Sequence, residues 1–245
     1  MKDNFSKDAG AYAKYRPVYP QALYDFVCHH VKEKNVAWDC GTGNGQAAKE
    51  LARVFTNVWA TDISQQQIDH ASQAENIIYS VQPAEKTNFP ANATDLITVS
   101  QALHWFHFDE FYKEVKRVGK NGSWIATWMY SLLTISPAID QLINQQFYTA
   151  LLGPYWDPER KHVDNHYTSI PFPFREIPTP VFNMEYEWTA SELAGYLRTW
   201  SAVKKFIAEN GSDPVDELMH KISIHWMTEK MKVLFPLHLR MGQIV

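Results

Sequence analysis

Two aspartates and three closely spaced glycines are the residues of this sequence whose types and spacing best suit chemistry. Asp39 is followed at alternate positions by Gly41, Gly43 and Gly45, and Asp62 lies 21 residues beyond Gly41. Glycines let a ligand come close to the backbone, because no Cβ atom blocks its approach. Asp39 could hold an ammonium group, and a carboxylate at the offset of Asp62 typically accepts from the two hydroxyls of a ribose. The pattern therefore predicts a site for a nucleoside that carries an amino acid.

The spacing of the glycines separates two classes of cofactor. The fingerprint of nicotinamide and flavin sites, Gly-x-Gly-x-x-Gly, would have its third glycine at Gln46, whereas here it comes one residue earlier, at Gly45. Asp39 would also repel a pyrophosphate. The order Asp-x-Gly-x-Gly-x-Gly thus favours S-adenosylmethionine over a dinucleotide. A glycine-rich turn with a helix-capping acid is the plain alternative for so short a motif.

The elements expected around these residues alternate between strand and helix. Residues 36–38 form an apolar run typical of a buried strand, and apolar residues at helical spacing follow the glycines. Further strands are predicted at residues 57–60, 77–81, 95–100 and 123–130, with helices between them. Such alternation implies a parallel sheet with right-handed crossovers. The glycines would then lie at the carboxyl edge of the sheet, beside the positive end of a helix.

The remaining segments predict a leader and an insertion. Residues 1–20 contain Tyr12, Tyr15 and Arg16 and no strand signal, and we expect them to fold over the cofactor as a flap. Residues 131–180 break the strand and helix rhythm with one helix and a run rich in proline and aromatic residues. A linker would be poorer in aromatic side chains, so this run indicates an inserted cap over the substrate.

The last part of the chain is expected to complete the sheet. A strand is predicted at residues 181–188, helices at 193–207 and 214–227, and a final strand at 231–241, where Pro236 suits an edge strand or a bulge. We expect one domain over residues 1–245. Its parts are the leader at 1–20, the cofactor-binding core at 21–130, the substrate cap at 131–180 and the closing elements at 181–245.

Several candidates for the chemistry lie outside the glycine loop. The loop after the fourth strand, residues 101–106, is unusually aromatic for the functional edge of a sheet. Within it His104 is the first candidate for a general base, which a hydroxyl acceptor would need and a carboxylate would not, although a structural role suits it equally. Trp105, Trp156 and Trp200 are candidates to line an acceptor pocket, while buried tryptophans are more often core residues.

Composition limits the classes of partner. Lys and Arg number 23 and Asp and Glu 27, so the net charge of −4 gives no general attraction to nucleic acid or to acidic membranes. No apolar run approaches the roughly 18 residues of a membrane span, and the amino end is too polar for a secretory signal, so a cytoplasmic protein is expected. Cys28 and Cys40 form no Cys-x-x-Cys pair, and we expect neither a disulfide scaffold nor a metal site.

The motifs taken together are similar to those of class I S-adenosylmethionine-dependent methyltransferases. The resemblance rests on the glycine loop, Asp62, Ala84-Glu85 and the loop at residues 101–106, all in order along the chain. Shorter strings resemble more narrowly the small-molecule group related to trans-aconitate methyltransferases: Tyr12-x-x-Tyr15-Arg16-Pro17, Ala102-Leu103-His104-Trp105-Phe106 and Thr199-Trp200-Ser201. Gln82-Pro83 departs from the glycine and acid that many relatives carry before the Ala-Glu pair.

This resemblance implies an α/β fold and a set of site residues. The sheet would be Rossmann-like, seven-stranded and mostly parallel, with strand order 3-2-1-4-5-7-6, an antiparallel last strand and helices on both faces. Gln101 and His104 would face the sulfonium methyl group, and the acceptor would meet His104, Trp105, Trp156 and Trp200. The residues expected to bind S-adenosyl-L-methionine are Tyr12, Tyr15, Arg16, Asp39, Gly41, Thr42, Gly43, Gly45, Asp62, Ile63, Ala84, Glu85, Ser100 and Gln101.

The expected function is methyl transfer from S-adenosylmethionine to a small-molecule acceptor, at an oxygen of a carboxylate or a hydroxyl. Two alternatives stay open at this point: an NAD(P)-dependent oxidoreductase, and a protein that binds S-adenosylmethionine without turnover. A DNA base methyltransferase is disfavoured, because the fourth-strand loop lacks an Asn-Pro-Pro-Tyr-like or Pro-Cys block and the chain is acidic. We expect no nucleic-acid or membrane partner, and a monomer or homodimer.

Overall fold

The computed structural model describes residues 15–245, which form a mixed sheet flanked by helices. Its strands are β1 (Val36–Cys40), β2 (Asn57–Asp62), β3 (Ile77–Val81), β4 (Thr94–Ser100), β5 (Gly119–Tyr130), β6 (Arg175–Ile177), β7 (Phe182–Trp188) and β8 (Met231–Gln243). Its helices are α1 (Gln21–His30), α2 (Gln46–Leu51), α3 (Gln65–Asp69), α4 (Phe108–Val118), α5 (Pro137–Gln141), α6 (Arg160–Asp164), α7 (Ala190–Arg198), α8 (Ser201–Asn210) and α9 (Pro214–Ser223). A π-helical turn, Leu142–Leu151, continues α5.

The strand order confirms the expected Rossmann-like sheet. The order is β3-β2-β1-β4-β5-β8-β6, and β7 also pairs with β8. The first five strands are parallel to their neighbours, and β8 runs antiparallel to β5. β6 and β7 pair with successive stretches of the same side of β8, so together they fill the sixth position of the expected seven. The last strand is antiparallel, as the resemblance implies.

Two layers of helices cover the two faces of this sheet. Along β4 six consecutive residues are buried, which is typical of a central parallel strand. Side chains alternate between the faces: Leu96 packs in one hydrophobic cluster with α1 and α2, and the next residue, Ile97, packs in a second cluster with α4. The sheet therefore separates two hydrophobic cores.

The inserted segment is part of these cores. Ile139 and Phe147 belong to the cluster on the α1 side, whereas Val163 and Phe174 belong to the cluster on the α4 side. Residues 131–180 thus bury apolar side chains on both faces of the sheet. This burial ties the insertion firmly to the fold.

Pro236 corrects the expectation of an edge strand. β8 lies inside the sheet, between β5 and the β6 and β7 pair. Pairing with β5 ends at Tyr130 and Leu237, and Pro236 is the next residue of β8, where the Ser131 N–H donates to the Pro236 carbonyl. Proline has no backbone N–H, and at position 236 that group would point to where β5 has already ended. No hydrogen bond between β5 and β8 is therefore lost.

Several element boundaries differ from the expected ones. The helix predicted at 193–207 is two helices, α7 and α8, because Trp200 adopts an extended conformation between them. The N-cap of α4 is His107, and Asp109 lies in the first turn of that helix. β5 begins at Gly119, four residues earlier than expected, and α9 ends at Ser223. None of the helices from residue 15 onward combines the length and apolar character needed to cross a membrane.

Candidate cofactor and acceptor site

A cavity lies at the carboxyl edge of the sheet, beyond the ends of β1, β2, β4 and β5. We divide it into two ends, named after the groups that we propose below for each: a cofactor end, at the glycine loop and Asp62, and an acceptor end, defined by His104, Trp105, Trp156, Arg160 and Trp200. Its wall comes from the leader, the glycine loop, the β2 end, the loop after β4, Tyr130, the insertion and the start of α8. The lining residues are Arg16, Pro17, Tyr19, Gly41, Thr42, Gly43, Asn44, Gln46, Asp62, Ile63, Ser64, Gln67, Ser100, Gln101, Ala102, His104, Trp105, Tyr130, Trp156, Asp157, Arg160, Trp200 and Ser201.

The glycine loop connects β1 to α2 and needs glycine for two reasons. Gly41, Gly43 and Gly45 all have positive φ angles, of 67°, 56° and 78°, which side-chain-bearing residues rarely adopt. A Cβ atom on Gly45 would also lie 2.2 Å from the Tyr79 hydroxyl oxygen, and one on Gly41 would lie 2.7 Å from Cβ of Ala102. Gly41, Thr42 and Gly43 line the cavity, whereas Gly45 does not line it and packs against Tyr79.

Asp39 lies beneath the glycine loop and does not line the cavity. It is fully buried, and its two carboxylate oxygens accept from the hydroxyls of Thr42 at 2.6 Å and Thr98 at 2.8 Å. Burial raises the pKa of this carboxyl to about 6, while the two hydroxyl donors oppose that shift. This placement does not support the expected direct contact between Asp39 and an ammonium group. Instead, the carboxylate fixes the first turn of the glycine loop through Thr42.

Asp62 lines the cavity at the end of β2, on the side of the glycine loop. The N–H groups of Gly43 and Ser64 each donate to its carboxylate at 2.9 Å, so both oxygens have defined positions. Ser64 is the N-cap of α3, and its hydroxyl accepts from the Gln67 N–H at 3.3 Å. The N–H groups of Gly43 and Ser64 hold Asp62 at the cavity wall, at the end of the second strand, where a carboxylate meets the ribose hydroxyls in folds of this kind.

The residues expected at the adenine divide into two groups. Ile63 lines the cavity, and so do Ser64 and Gln67, which were not among the expected cofactor-binding residues. Ala84 is buried away from the cavity, and Glu85 accepts from the backbone N–H of His107 at 2.9 Å. Glu85 thereby places a negative charge at the N-terminus of α4, where the helix dipole stabilises it. The predicted adenine contacts of Ala84 and Glu85 are therefore not supported by their positions.

The end of β4 and the loop after it bring Ser100 and Gln101 to the wall of the cavity. Gln101 has a φ angle of 55°, a strained conformation for a residue with a side chain. Its N–H donates to the Trp128 carbonyl at 2.8 Å, and its side-chain oxygen accepts from the Tyr130 N–H at 3.0 Å. These two bonds to β5 hold the strained turn, so the side-chain oxygen is turned toward the sheet.

His104 is buried at the acceptor end, and its chemistry follows from that burial. Its Nδ1 atom lies 2.9 Å from the Tyr167 hydroxyl oxygen. Burial, followed by the positive charges of Arg160 and His162, lowers the pKa of His104 to about 3. The imidazole is therefore neutral at physiological pH and is a weak base. It is better suited to hydrogen bonding than to removing a proton from an alcohol.

Three tryptophans form the wall of the acceptor end. Trp105, Trp156 and Trp200 all line the cavity, and the rings of Trp156 and Trp200 lie 5.6 Å apart. Arg160 lies with its guanidinium 4.9 Å from the centre of the Trp156 ring. The sequence did not single out Arg160, since nothing in the spacing of the insertion indicates which of its charged residues faces inward.

The leader reaches the cavity through Arg16. One terminal nitrogen of Arg16 donates to the Tyr130 hydroxyl at 2.6 Å, and Arg16, Pro17 and Tyr19 line the wall. Tyr15 does not line it. A Cβ atom on Gly195 of α7 would lie 2.5 Å from the Tyr15 ring, so that ring packs closely on the helix. The predicted contact of Tyr12 lies outside the described residues.

The cofactor end has features that suit an adenosyl group. The glycine loop, a carboxylate at the end of the second strand and the polar side chains of Ser64 and Gln67 line one end of the cavity. These residues fit an organic cofactor with a sugar. No group of three or more His, Cys, Asp or Glu side chains that could ligate a metal occurs between residues 15 and 245.

Comparison with known proteins agrees with this arrangement. The family described as "Methyltransferase domain" matches residues 38–127, which include the glycine loop, Asp62 and the loop after β4. A protein from Dictyostelium discoideum, named as a methyltransferase, is 34% identical over 219 residues, which are 88% of this chain and 83% of that protein. The similarity therefore extends well beyond the cofactor-binding core.

Solved structures show the same fold. A protein from Anaeromyxobacter dehalogenans, described as a type II methyltransferase, superimposes with a TM-score of 0.86 at 36% identity and covers 94% of this chain and 99% of its own. A structure from Bacillus halodurans, also described as a methyltransferase, has a TM-score of 0.53 at 14% identity, covers 91% of this chain and 99% of its own, and supports the fold alone. The methyl donor is S-adenosylmethionine, and the chain belongs to the class I S-adenosylmethionine-dependent methyltransferases.

Proposed function

We propose that this methyltransferase acts on a small-molecule acceptor and methylates an oxygen atom of a carboxylate or a hydroxyl. One observation carries the proposal: the cavity continues from the glycine loop to an end closed by three tryptophans and His104. An apolar wall with a few polar groups is typical of pockets that enclose small ligands. A pocket with a wall of this kind does not suit the binding of a long polymer.

The cofactor end would hold the donor through a small number of contacts. Asp62 would accept from the ribose hydroxyls, and Ile63 would lie against the adenine. Thr42, Ser100 and the backbone of Gly41 and Gly43 would surround the methionine portion. When bound, S-adenosylmethionine supplies a methyl group on a positively charged sulfur. Arg16 and Pro17 would close the cavity from the leader side, since both line it.

The acceptor end would act by position and by exclusion of water. An in-line displacement needs an oriented acceptor more than it needs acid or base groups, and tryptophan walls restrict both orientation and water. His104 would hold the acceptor as a neutral hydrogen-bonding group, because burial keeps its pKa at about 3. A carboxylate, which is already ionised, suits this histidine better than an alcohol that must first lose a proton.

The insertion would form the acceptor side of the pocket. Trp156, Asp157 and Arg160 are its lining residues, and all three belong to residues 131–180. The burial of this segment in both hydrophobic cores would keep the wall in place. We therefore retain the interpretation of residues 131–180 as a substrate cap within a single domain.

The proposal is tested by transfer of a radiolabelled methyl group from S-adenosylmethionine to a panel of small carboxylic acids, phenols, alcohols, amines and thiols. The expected result is turnover confined to oxygen acceptors. Turnover of amines or thiols alone would contradict the proposal. Tight binding of S-adenosylmethionine with no turnover on any member would instead favour a protein that binds the cofactor without transfer.

A matched variant ties the activity to the acceptor end. Trp156→Ala removes one wall of that end without touching the glycine loop, and we expect KM for the acceptor to rise while the affinity for S-adenosylmethionine stays within about threefold of the original. Ile224→Ala is the control, because Ile224 is 74% exposed and does not line the cavity. An equal effect of both substitutions would show that the acceptor binds elsewhere.

A further inference from the structure

Arg160 is a charged residue placed in an otherwise aromatic part of the cavity. It is the first residue of α6, lines the acceptor end beside Trp156, and its side chain is 21% exposed. A partly buried cation needs compensation, because removing a guanidinium from water is costly. The arrangement of its partners shows how much compensation the protein itself provides.

The protein uses one edge of this guanidinium for polar contacts. The Nε atom donates to the Tyr148 hydroxyl at 2.8 Å and lies 3.5 Å from a carboxylate oxygen of Asp164. The central carbon of the guanidinium lies 4.9 Å from the centre of the Trp156 ring and 5.4 Å from that of Tyr148. Within residues 15–245 neither terminal nitrogen donates a hydrogen bond to a protein acceptor. The contacts of Nε and of the two rings therefore hold the guanidinium, and the hydrogens of its terminal nitrogens are left for a ligand.

An acid in the same wall is paired with a different cation. Asp157 also lines the cavity, but its carboxylate lies 2.7 Å from Nζ of Lys205 on α8. The charge of Arg160 is felt inside the acceptor end, because after burial it is the next cause that lowers the pKa of His104. An anion bound there would meet a positive potential from Arg160 and a neutral imidazole at His104.

We propose that the terminal nitrogens of Arg160 bind an anionic group of the methyl acceptor, either a carboxylate or a phosphate. The inference rests on the proposed function, since it assigns the substrate class of that same site. The two terminal nitrogens form a planar fork that matches the paired oxygens of these groups. The aromatic surroundings lower the local dielectric, which strengthens such a contact relative to water. Arg160 is then a specificity-determining residue.

The test compares charged ligands with neutral ligands of the same shape. Small aliphatic and aromatic carboxylic acids, their amides and the matching phosphate monoesters are added to the protein saturated with S-adenosylhomocysteine, and thermal unfolding is followed. Acids or phosphate esters are expected to raise the unfolding temperature, and amides to have no effect. A response to acids alone identifies a carboxylate as the group, and a response to phosphate esters alone identifies a phosphate.

Substitutions at Arg160 show whether this residue is responsible. Arg160→Gln keeps a donor for Tyr148 and removes the charge, so the acid is expected to bind at least about 30-fold more weakly. Arg160→Lys keeps the charge without the planar fork and is expected to be intermediate. Lys161→Gln is the matched control, because it removes the same charge from the adjacent, exposed residue that does not line the cavity.

Several outcomes would overturn the proposal. They are an undiminished affinity for the acid in Arg160→Gln, a response to amides only, or no response to any acid or phosphate ester. Calorimetry with S-adenosylmethionine is run on the same preparations. Normal cofactor binding with an absent acid response refutes the role of Arg160 alone, whereas absent cofactor binding refutes the proposed function.

Discussion

At the scale of single residues, the glycine loop is governed by backbone angles and close approach. Gly45 has a φ angle of 78° and lies against Tyr79, whereas Gly211, at the end of α8, has a φ angle of 71° and nothing within 4 Å of its Cβ position. The two glycines share a backbone conformation and differ in the space around them. Comparing them separates the cost of the angle from the cost of the contact.

Gly45→Ala is therefore expected to lower the free energy of unfolding more than Gly211→Ala. The angle alone costs about 1 kcal/mol at either site, and the clash with the Tyr79 hydroxyl adds roughly 2 kcal/mol at Gly45. Chemical denaturation measures both. Adding Tyr79→Phe to Gly45→Ala should recover part of the loss. Equal losses in the two single variants would contradict the close contact.

His104 predicts a pH dependence of stability with a definite sign. Its folded pKa of about 3 lies below the unfolded value near 6.5, so the unfolded state binds a proton first as the pH falls. The contribution of His104 to the free energy of unfolding is fully present above about pH 6.5 and is lost as the pH falls from 6.5 to 3. From pH 7 to pH 5 the loss is about 2 kcal/mol.

His104→Gln should remove that part of the pH dependence, because glutamine does not titrate in this range. Urea denaturation gives the free energy of unfolding of both proteins at pH 7 and at pH 5. The change between the two pH values is independent of any effect of the substitution that is the same at both. An identical difference in the variant would show that His104 is accessible to protons in the folded state.

At the scale of elements, the start of α4 explains why Glu85 is unlike an adenine-binding residue. His107, the N-cap of α4, provides no side-chain hydrogen bond, and Glu85 from the loop between β3 and β4 accepts from its N–H instead. The sequence places Glu85 at the correct end of the sheet, because spacing defines the strand after which a residue falls. It does not define the direction of the side chain, which depends on the helix packed opposite.

Glu85→Ala is accordingly expected to affect stability more than cofactor binding. Loss of the cap should lower the free energy of unfolding by about 1 kcal/mol, with the dissociation constant for S-adenosylmethionine changed by less than about threefold. Denaturation and calorimetry give the two values. Asp109→Ala is the control, since this exposed acid lies in the first turn of α4 without capping it. A large loss of affinity in Glu85→Ala would restore the adenine contact.

At the scale of the whole molecule, the strands and helices could be predicted from the sequence, because their apolar residues recur at regular spacing. Alternating apolar strands and helices gave the parallel sheet, and the offset of Asp62 gave its place beside the glycine loop. Three features needed the folded chain. They are the burial of Asp39 under two threonines, the place of Pro236 where β5 ends, and the inward position of Arg160. Each depends on contacts between segments that are distant in sequence.

The most direct test of the account is the affinity for S-adenosylmethionine, measured by isothermal titration calorimetry in the original protein, Asp62→Asn, Asp62→Ala and Asp69→Ala. Asp69 is an exposed acid on α3 that does not line the cavity, and circular dichroism confirms that each variant is folded. We predict tight binding to the original protein and to Asp69→Ala, and at least about 30-fold weaker binding to both Asp62 variants. Equal affinity in all four proteins would contradict the account, because the ribose would then have to bind somewhere other than at the end of β2.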